Sequence, residues 1–305
     1  MARTGRPPQD PASRSERAHR ILDAAAELVL RWGYDKTTID DVARHARVAK
    51  GTIYLHWKTR EALFSALLRR DRVAMLEEVA AAAPATLRGL LREIAAGLLR
   101  RPLMTALLTH DSEVLGKLVR QKRLGAVDRV GASGTGGGAG QVMLGRMAAF
   151  EDYLAVLDRH GALRPGRTPQ EQVAVLSAVL HGFLLTRDML PPESAPSGER
   201  LPDLIAETAD LALSSGAPQG EEGARAIRQA THRYLGSMRE IALSKLAASL
   251  GVDAEALTAP AGVTRAPAGV TRAPAGVTGA PAEVMVASAG VMGADAPAGG
   301  EETRA

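Results

Sequence analysis

Apolar residues in the first third of this 305-residue chain recur every three or four positions, the spacing that lines one face of a helix. Ile21, Leu22, Ala25, Leu28 and Val29 form one such stripe. It predicts a helix from about Ser13 or Ser15 to Trp32, with Gly33 placed to end it. A shorter set, Ile39, Val42, Ala43 and Ala46, follows Thr37 and Thr38, either of which suits an N-cap. Asp40 and Asp41 then stand where the positive end of a helix favours carboxylates. Val48 plugs the corner after the turn, and Ile53 anchors a second short helix, residues 50–57, to the same core. Small residue, turn, apolar plug and apolar anchor at these intervals are what a helix-turn-helix needs sterically. Leu63, Phe64, Leu67 and Leu68 face inward on a fourth helix, about 60–82, which is long enough to join this head to the rest and stops before Pro84.

Beyond Pro84 the pattern stays helical. Two or three amphipathic segments fill residues 85–121, broken at Pro102 and near Asp111. A glycine-rich link, residues 125–140, leads to a helix over 141–160 that Gly161 stops. Residues 169–190 read as a helix apolar nearly all round, which one core plus a partner subunit would bury. Residues 203–215 and 221–250 are two more helices, the last with Ile227, Tyr234, Leu235, Met238, Ile241 and Leu246 facing inward. Past Gly251 a seven-residue unit, APAGVTR, repeats and decays. Pro and Gly in each clean copy exclude a coiled coil, and the unit is too short for a solenoid. The chain therefore reads as all-α. It divides into a flexible basic arm (1–12), a three-helix helix-turn-helix head (13–70), a larger helical body (71–250) and a disordered low-complexity tail (251–305).

Charge sharpens this picture. Residues 1–70 carry 14 Lys or Arg against 8 Asp or Glu, while the whole chain is +4, so a basic head sits on a slightly acidic remainder. That distribution argues for a localised surface that binds a polyanion. With no cysteine, neither a disulfide framework nor a thiolate metal site can form. No apolar run approaches the ~20 residues of a membrane span, and the opening MARTGRPPQDP lacks a signal-peptide core, so a cytoplasmic protein is expected.

On residues 50–58 the side chains suit a duplex. Lys50 and Lys58 offer ammonium groups and Tyr54 and His56 polar tips for phosphate, while Thr52 can touch a base edge or a thymine methyl. Trp57 reads as core by its size, and Lys36, Arg44 and Arg60 as solvated face. Arg3 and Arg6 are candidates for a minor-groove arm, set against an ordinary frayed terminus. Catalytic and cofactor chemistry finds no footing. The seven histidines lack metal spacing, Gly-x-Ser-x-Gly is absent, and adjacent Asp40 and Asp41 point apart on a helix. The glycines of residues 134–139 match a relaxed dinucleotide fingerprint, but no strand precedes them. No cofactor and no metal is expected.

The stretch Thr38, Ile39, Val42, Ala43, Val48, Lys50, Gly51, Thr52, Ile53, Tyr54, Leu55, His56, Trp57, Arg60, Glu61, Ala62 and Leu63 resembles the TetR family of transcriptional regulators, with the match running over residues 17–70. Two positions depart from the family pattern: Arg47 stands where glycine is usual and Ala49 where serine is usual. A left-handed Arg47 would be strained by roughly 1 kcal/mol, and losing a serine cap costs about as much. The turn at Gly161, Ala162, Leu163, Arg164 and Pro165, with the apolar helices after it, also looks like the C-terminal half of many such proteins.

The resemblance implies a homodimeric, sequence-specific regulator, a repressor relieved by a small-molecule effector, on a palindromic double-stranded DNA operator. Its contacts would be Thr38, Lys50, Gly51, Thr52, Tyr54, His56 and Lys58. His110, Phe150, Tyr153, His181 and Phe183 are candidates for lining the effector pocket, each equally readable as core. Arg47 and Ala49 keep a second class open, a helical ligand-binding or protein-interaction module whose head has lost DNA readout.

Overall fold

The structure, a computed structural model, describes residues 11–109, 139–186, 189–191, 193, 196–252, 254 and 257. Arg3 and Arg6, His110, the glycines of 134–138 and nearly all of the repeat tail lie outside the described residues. In chain order the helices are α1 (Pro11–Trp32), α2 (Ile39–His45), α3 (Lys50–His56), α4 (Arg60–Ala81), α5 (Leu87–Leu99), α6 (Pro102–Thr109), α7 (Ala139–Arg159), α8 (Pro169–Thr186), α9 (Leu201–Leu213) and α10 (Glu221–Leu250). Among the described residues the sole β pairing is an isolated bridge between Leu163 and Ser214. No described helix is long and apolar enough to cross a membrane.

Local chemistry sets most helix ends. Gly33 follows α1 at φ 81, a conformation glycine adopts without a Cβ penalty. Threonine hydroxyls cap four starts: Thr38 for α2, Thr59 for α4, Thr86 for α5 and Thr168 for α8. Gly251, at φ 63, closes α10.

The core begins in the head with Ile21, Leu22, Ala25, Val42, Ile53, Leu63 and Leu67, all at most 1% exposed. It continues without a break into the body through α4, whose Met75, Leu76 and Val79 are buried. α10 packs along α4 and against α7, while α9 lies on α5 and α8. α8 is the exception to burial. On this single chain only Gln172 and Leu184 of the helix are buried, while Leu185 is 48% exposed, as is Leu211 of α9 at 72%.

Candidate nucleic-acid interface

The interface is built outward from the α2–α3 corner. Thr38 and Asp41 form a reciprocal capping box: the Asp41 amide donates to Thr38 Oγ1 at 3.2 Å, and the Thr38 amide donates to Asp41 Oδ2 at 3.2 Å. Those bonds, the Thr38 hydroxyl first, hold the Asp41 carboxyl below its ordinary value. Thr37 is the other candidate cap. It is instead fully buried, its hydroxyl donating to the Gly33 carbonyl at 2.8 Å.

At the far end of α2, Val48 donates to the Ala43 carbonyl at 2.9 Å and Arg47 to that of Arg44 at 3.2 Å. This is a Schellman closure with Arg47 in the left-handed position at φ 56. The turn forms without glycine and carries the strain. α3 then starts at Ala49 with no side-chain cap.

Ile53 at 0% and Trp57 at 2% exposure pin α3 to the core, so the opposite face is presented outward. Lys50, Gly51, Tyr54, Leu55 and Lys58 are exposed and Thr52 is half-buried. Of the seven expected contacts, five are therefore reachable from solvent: Lys50, Gly51, Thr52, Tyr54 and Lys58. The other two, Thr38 and His56, are held differently. The Thr38 hydroxyl proton is given to Asp41 Oδ2 at 2.6 Å, so Thr38 offers phosphate no free hydroxyl donor. His56 is half-buried and tilted against Trp57 at 5.2 Å between ring centroids, and its Nδ1 is buried without a partner. Burial first, and then the charges of Arg14 and Arg17, pull its pKa below the ordinary 6.5. The ring is neutral near pH 7 and is not a cationic phosphate contact.

Arg60 also departs from its expected place on a solvated face. Its guanidinium lies 4.1 Å over the Tyr34 ring and donates to the carbonyls of Thr37 (3.1 Å), Tyr34 and Asp35 (both 3.4 Å). With Tyr34 donating to Glu61 Oε1 at 3.2 Å, it ties the start of α4 to the α1–α2 loop. Leu55 was missed by sequence reasoning. At 73% exposure it is the most open apolar side chain on α3, and its four-residue spacing from Gly51 marks it as part of the same outward face.

Among the described residues, the candidates for the effector pocket fall into separate places. Phe150 and Tyr153 do meet, at 6.2 Å, in an aromatic trio with Tyr234. There Tyr153 bonds weakly with the Thr231 hydroxyl at 3.4 Å, and burial pushes its pKa up to about 12. Phe183 packs elsewhere, against Ala95, Leu201 and Ile205. His181 turns its Nδ1 onto its own helix, 2.8 Å from the Ser177 carbonyl. Residues two apart on a helix diverge, so α8 cannot aim both side chains at one cavity. Two clefts among the described residues are lined by none of these side chains. One of about 460 Å³ lies between α5 and the 198–202 segment, and one of about 360 Å³ lies where the starts of α5 and α10 meet the end of α9.

Residues 21–67 match the family model described as bacterial regulatory proteins, tetR family. An uncharacterized HTH-type transcriptional regulator of Mycobacterium bovis is 35% identical over 66 residues, which is 22% of this chain and 35% of that protein. The HTH-type transcriptional regulator AcrR of Shigella flexneri is 32% identical over 113 residues, 34% of this chain and 53% of its own length. The matched span thus covers between about a third and about half of these curated relatives. Among solved structures, NalD, the secondary repressor of the MexAB-OprM multidrug efflux pump in Pseudomonas aeruginosa, aligns at 23% identity and a TM-score of 0.44, over 67% of this chain and 99% of that one.

Proposed function

We propose, from the match of residues 21–67 to the tetR family of bacterial regulatory proteins, that the protein is a sequence-specific DNA-binding transcription regulator, acting in the cytoplasm as a ligand-relieved repressor. The observation that carries the proposal is the outward side of α3, where Lys50, Gly51, Tyr54 and Lys58 stand clear and Thr52 is half-buried, while Ile53 and Trp57 lock the helix to the core. α3 enters the major groove, Thr52 and Lys50 read bases, and Tyr54 and Lys58 hold phosphates.

The protein works as a homodimer. The half-open apolar surface of α8 and α9, with Leu185 and Leu211 outermost, suits a second copy of itself. Twofold symmetry calls for a palindromic operator with half-sites about 34 Å apart, or a multiple of that. A small molecule bound in the body would relieve repression by tilting α4 and misaligning the two heads. It need only prefer the misaligned state by a few kcal/mol. The Schellman bonds at Arg47 keep the turn closed, which supports a working reader over a module with lost DNA readout.

Gel shifts with the DNA upstream of the protein's own gene and with random duplex, each at two salt concentrations, test the proposal. Tighter binding to the upstream fragment is expected, and equal affinity for both would overturn it. Lys58→Ala should weaken both duplexes alike and reduce the salt slope by about 0.9. Thr52→Ala should relax preference at one base position, and equal losses on operator and random DNA would remove its assigned role.

A further inference from the structure

Two carboxylates open α2, and they point to different partners. Asp41 belongs to the capping box, whereas Asp40 accepts a hydrogen bond from Lys50 Nζ at 2.7 Å. Both members of the pair are about half exposed, at 49% and 56%, and an ion pair so well solvated contributes little to holding a fold together. Its position is more informative than its strength. Lys50 is the first residue of α3, and a recognition helix contacts base edges with its N-terminal residues.

We propose that Asp40 positions Lys50 to read a guanine in each operator half-site and keeps it from serving as a general phosphate clamp. This deepens the DNA-reading proposal above and rests on it. An ammonium has three N–H donors and no acceptor. Asp40 takes one of them and leaves two directed away from the carboxylate. In the major groove guanine sets two acceptors, O6 and N7, side by side, whereas adenine pairs its N7 with a donor and thymine pairs its O4 with a methyl. Lys50 reaches guanine with its bond to Asp40 intact.

A phosphate makes a different demand. Lys50 must abandon Asp40 to reach the backbone, or else bring a second negative charge up to it. The pair therefore carries almost no net attraction for non-specific DNA, where affinity comes from free protein cations that displace condensed counterions from the phosphates. Neutralising Asp40 frees the lysine for any backbone and loosens its aim at the base. The carboxylate also holds the ammonium's pKa above its ordinary value, so Lys50 remains purely a donor.

The test uses the full chain as wild type, Asp40→Asn, Asp40→Glu and Lys50→Met. Each is titrated against the selected operator, against operators carrying all four base pairs at each half-site position, and against random duplex, between 50 and 200 mM salt. Wild type should prefer G·C at one half-site position by roughly ten- to hundredfold, a preference Lys50→Met abolishes. Asp40→Asn should lose most of that preference and bind random duplex more tightly, by up to roughly tenfold at 0.1 M salt, with the slope steeper by about 0.9. Asp40→Glu, which keeps the carboxylate, should restore much of the wild-type ratio.

An Asp40→Asn protein unchanged in both base preference and random-duplex slope overturns the inference, because the pair is then an idle surface contact. Equal tightening on operator and random duplex also overturns it, since that is only the loss of a repelling charge. So does a Lys50→Met protein with wild-type preferences at every position. A wild type that selects no sequence at all overturns the DNA-reading proposal itself, and this inference with it.

Discussion

Gly51 sits on the exposed face of α3 with no left-handed φ, and a Cβ built there would meet nothing within 4 Å. Neither backbone nor packing requires glycine, yet glycine in a helix is about 1 kcal/mol less favourable than alanine. The demand has to come from outside the chain, and a duplex pressed against α3 would supply it. Gly51→Ala is thus expected to raise stability by about 1 kcal/mol in urea unfolding while costing about 1 kcal/mol or more of operator binding. Undiminished affinity would take Gly51 out of the interface. The half-buried histidines of the head make a second residue-scale prediction. Burial lowers the pKa of His56 and of His19 below 6.5, with Arg14 and Arg17 adding to the effect at His56, and Arg70 adding to it at His19 against Asp23. A base whose folded pKa is depressed takes up its proton more readily in the unfolded chain. Stability from these rings is complete above pH 6.5 and falls as pH drops toward the folded values. Thermal melts should show Tm lower at pH 5.5 than at pH 7.5, with a smaller drop for His56→Gln, whose side chain cannot charge.

At the scale of elements, what was legible in the sequence depends on which forces are local. α1 to α4 could be placed from apolar spacing, the Thr38 cap and Gly33, because those signals lie within one or two turns of the helix they define. Arg60 resembled a solvated charge because its partners are carbonyls of residues 34, 35 and 37, which a helical pattern cannot register. The separation of Phe183 from Phe150 was illegible for a related reason: whether Phe183 faces Phe150 or Ala95 is decided by α8 docking beside α6 and α9, a tertiary choice. The nearly uniform apolarity of α8 predicted burial but could not say by what. This chain alone leaves Leu185 and Leu211 open, so the proposed second copy is the natural cover. Leu185→Lys with Leu211→Lys alters side chains the single chain does not bury, so its fold should survive. Sedimentation is expected to shift from dimer to monomer, and operator affinity to fall by the 10²–10⁴ that linking two heads provides. A double variant that still sediments as a dimer would move the interface elsewhere.

On the scale of the whole molecule, α10 governs how the head is held. Its 30 residues extend about 45 Å at 1.5 Å per residue, enough to follow α4 along its full length. Near the body Arg239 pairs with Glu77 at 3.6 Å, and near the head Arg69 donates to the Ser249 hydroxyl while Leu246 and Leu250 are buried. Just past its end, Gly251 lies beside Arg14 of α1, and Val252 and Leu257 pack onto the common core. Any tilt of α4 that misaligns the heads must therefore carry α10 with it or slide along it. Magnitudes separate two truncations. Ile227, Leu235, Leu243, Leu246 and Leu250 are each at most 8% exposed, and at about 2 kcal/mol apiece their burial sums to roughly 10 kcal/mol, as large as the whole stability of an ordinary domain. A chain ending at Gly220 should not fold, giving no cooperative melt and no operator binding. A chain ending at Leu257 keeps every one of these contacts, and its Tm and operator affinity should match the full-length protein. Ending at Leu250 removes the left-handed Gly251 cap and the packing of Val252 and Leu257, so an intermediate loss of about 1–3 kcal/mol is expected in urea unfolding. If instead the Leu250 and Leu257 chains melt alike, the end of α10 is not fastened to the head, and α4 swings without it.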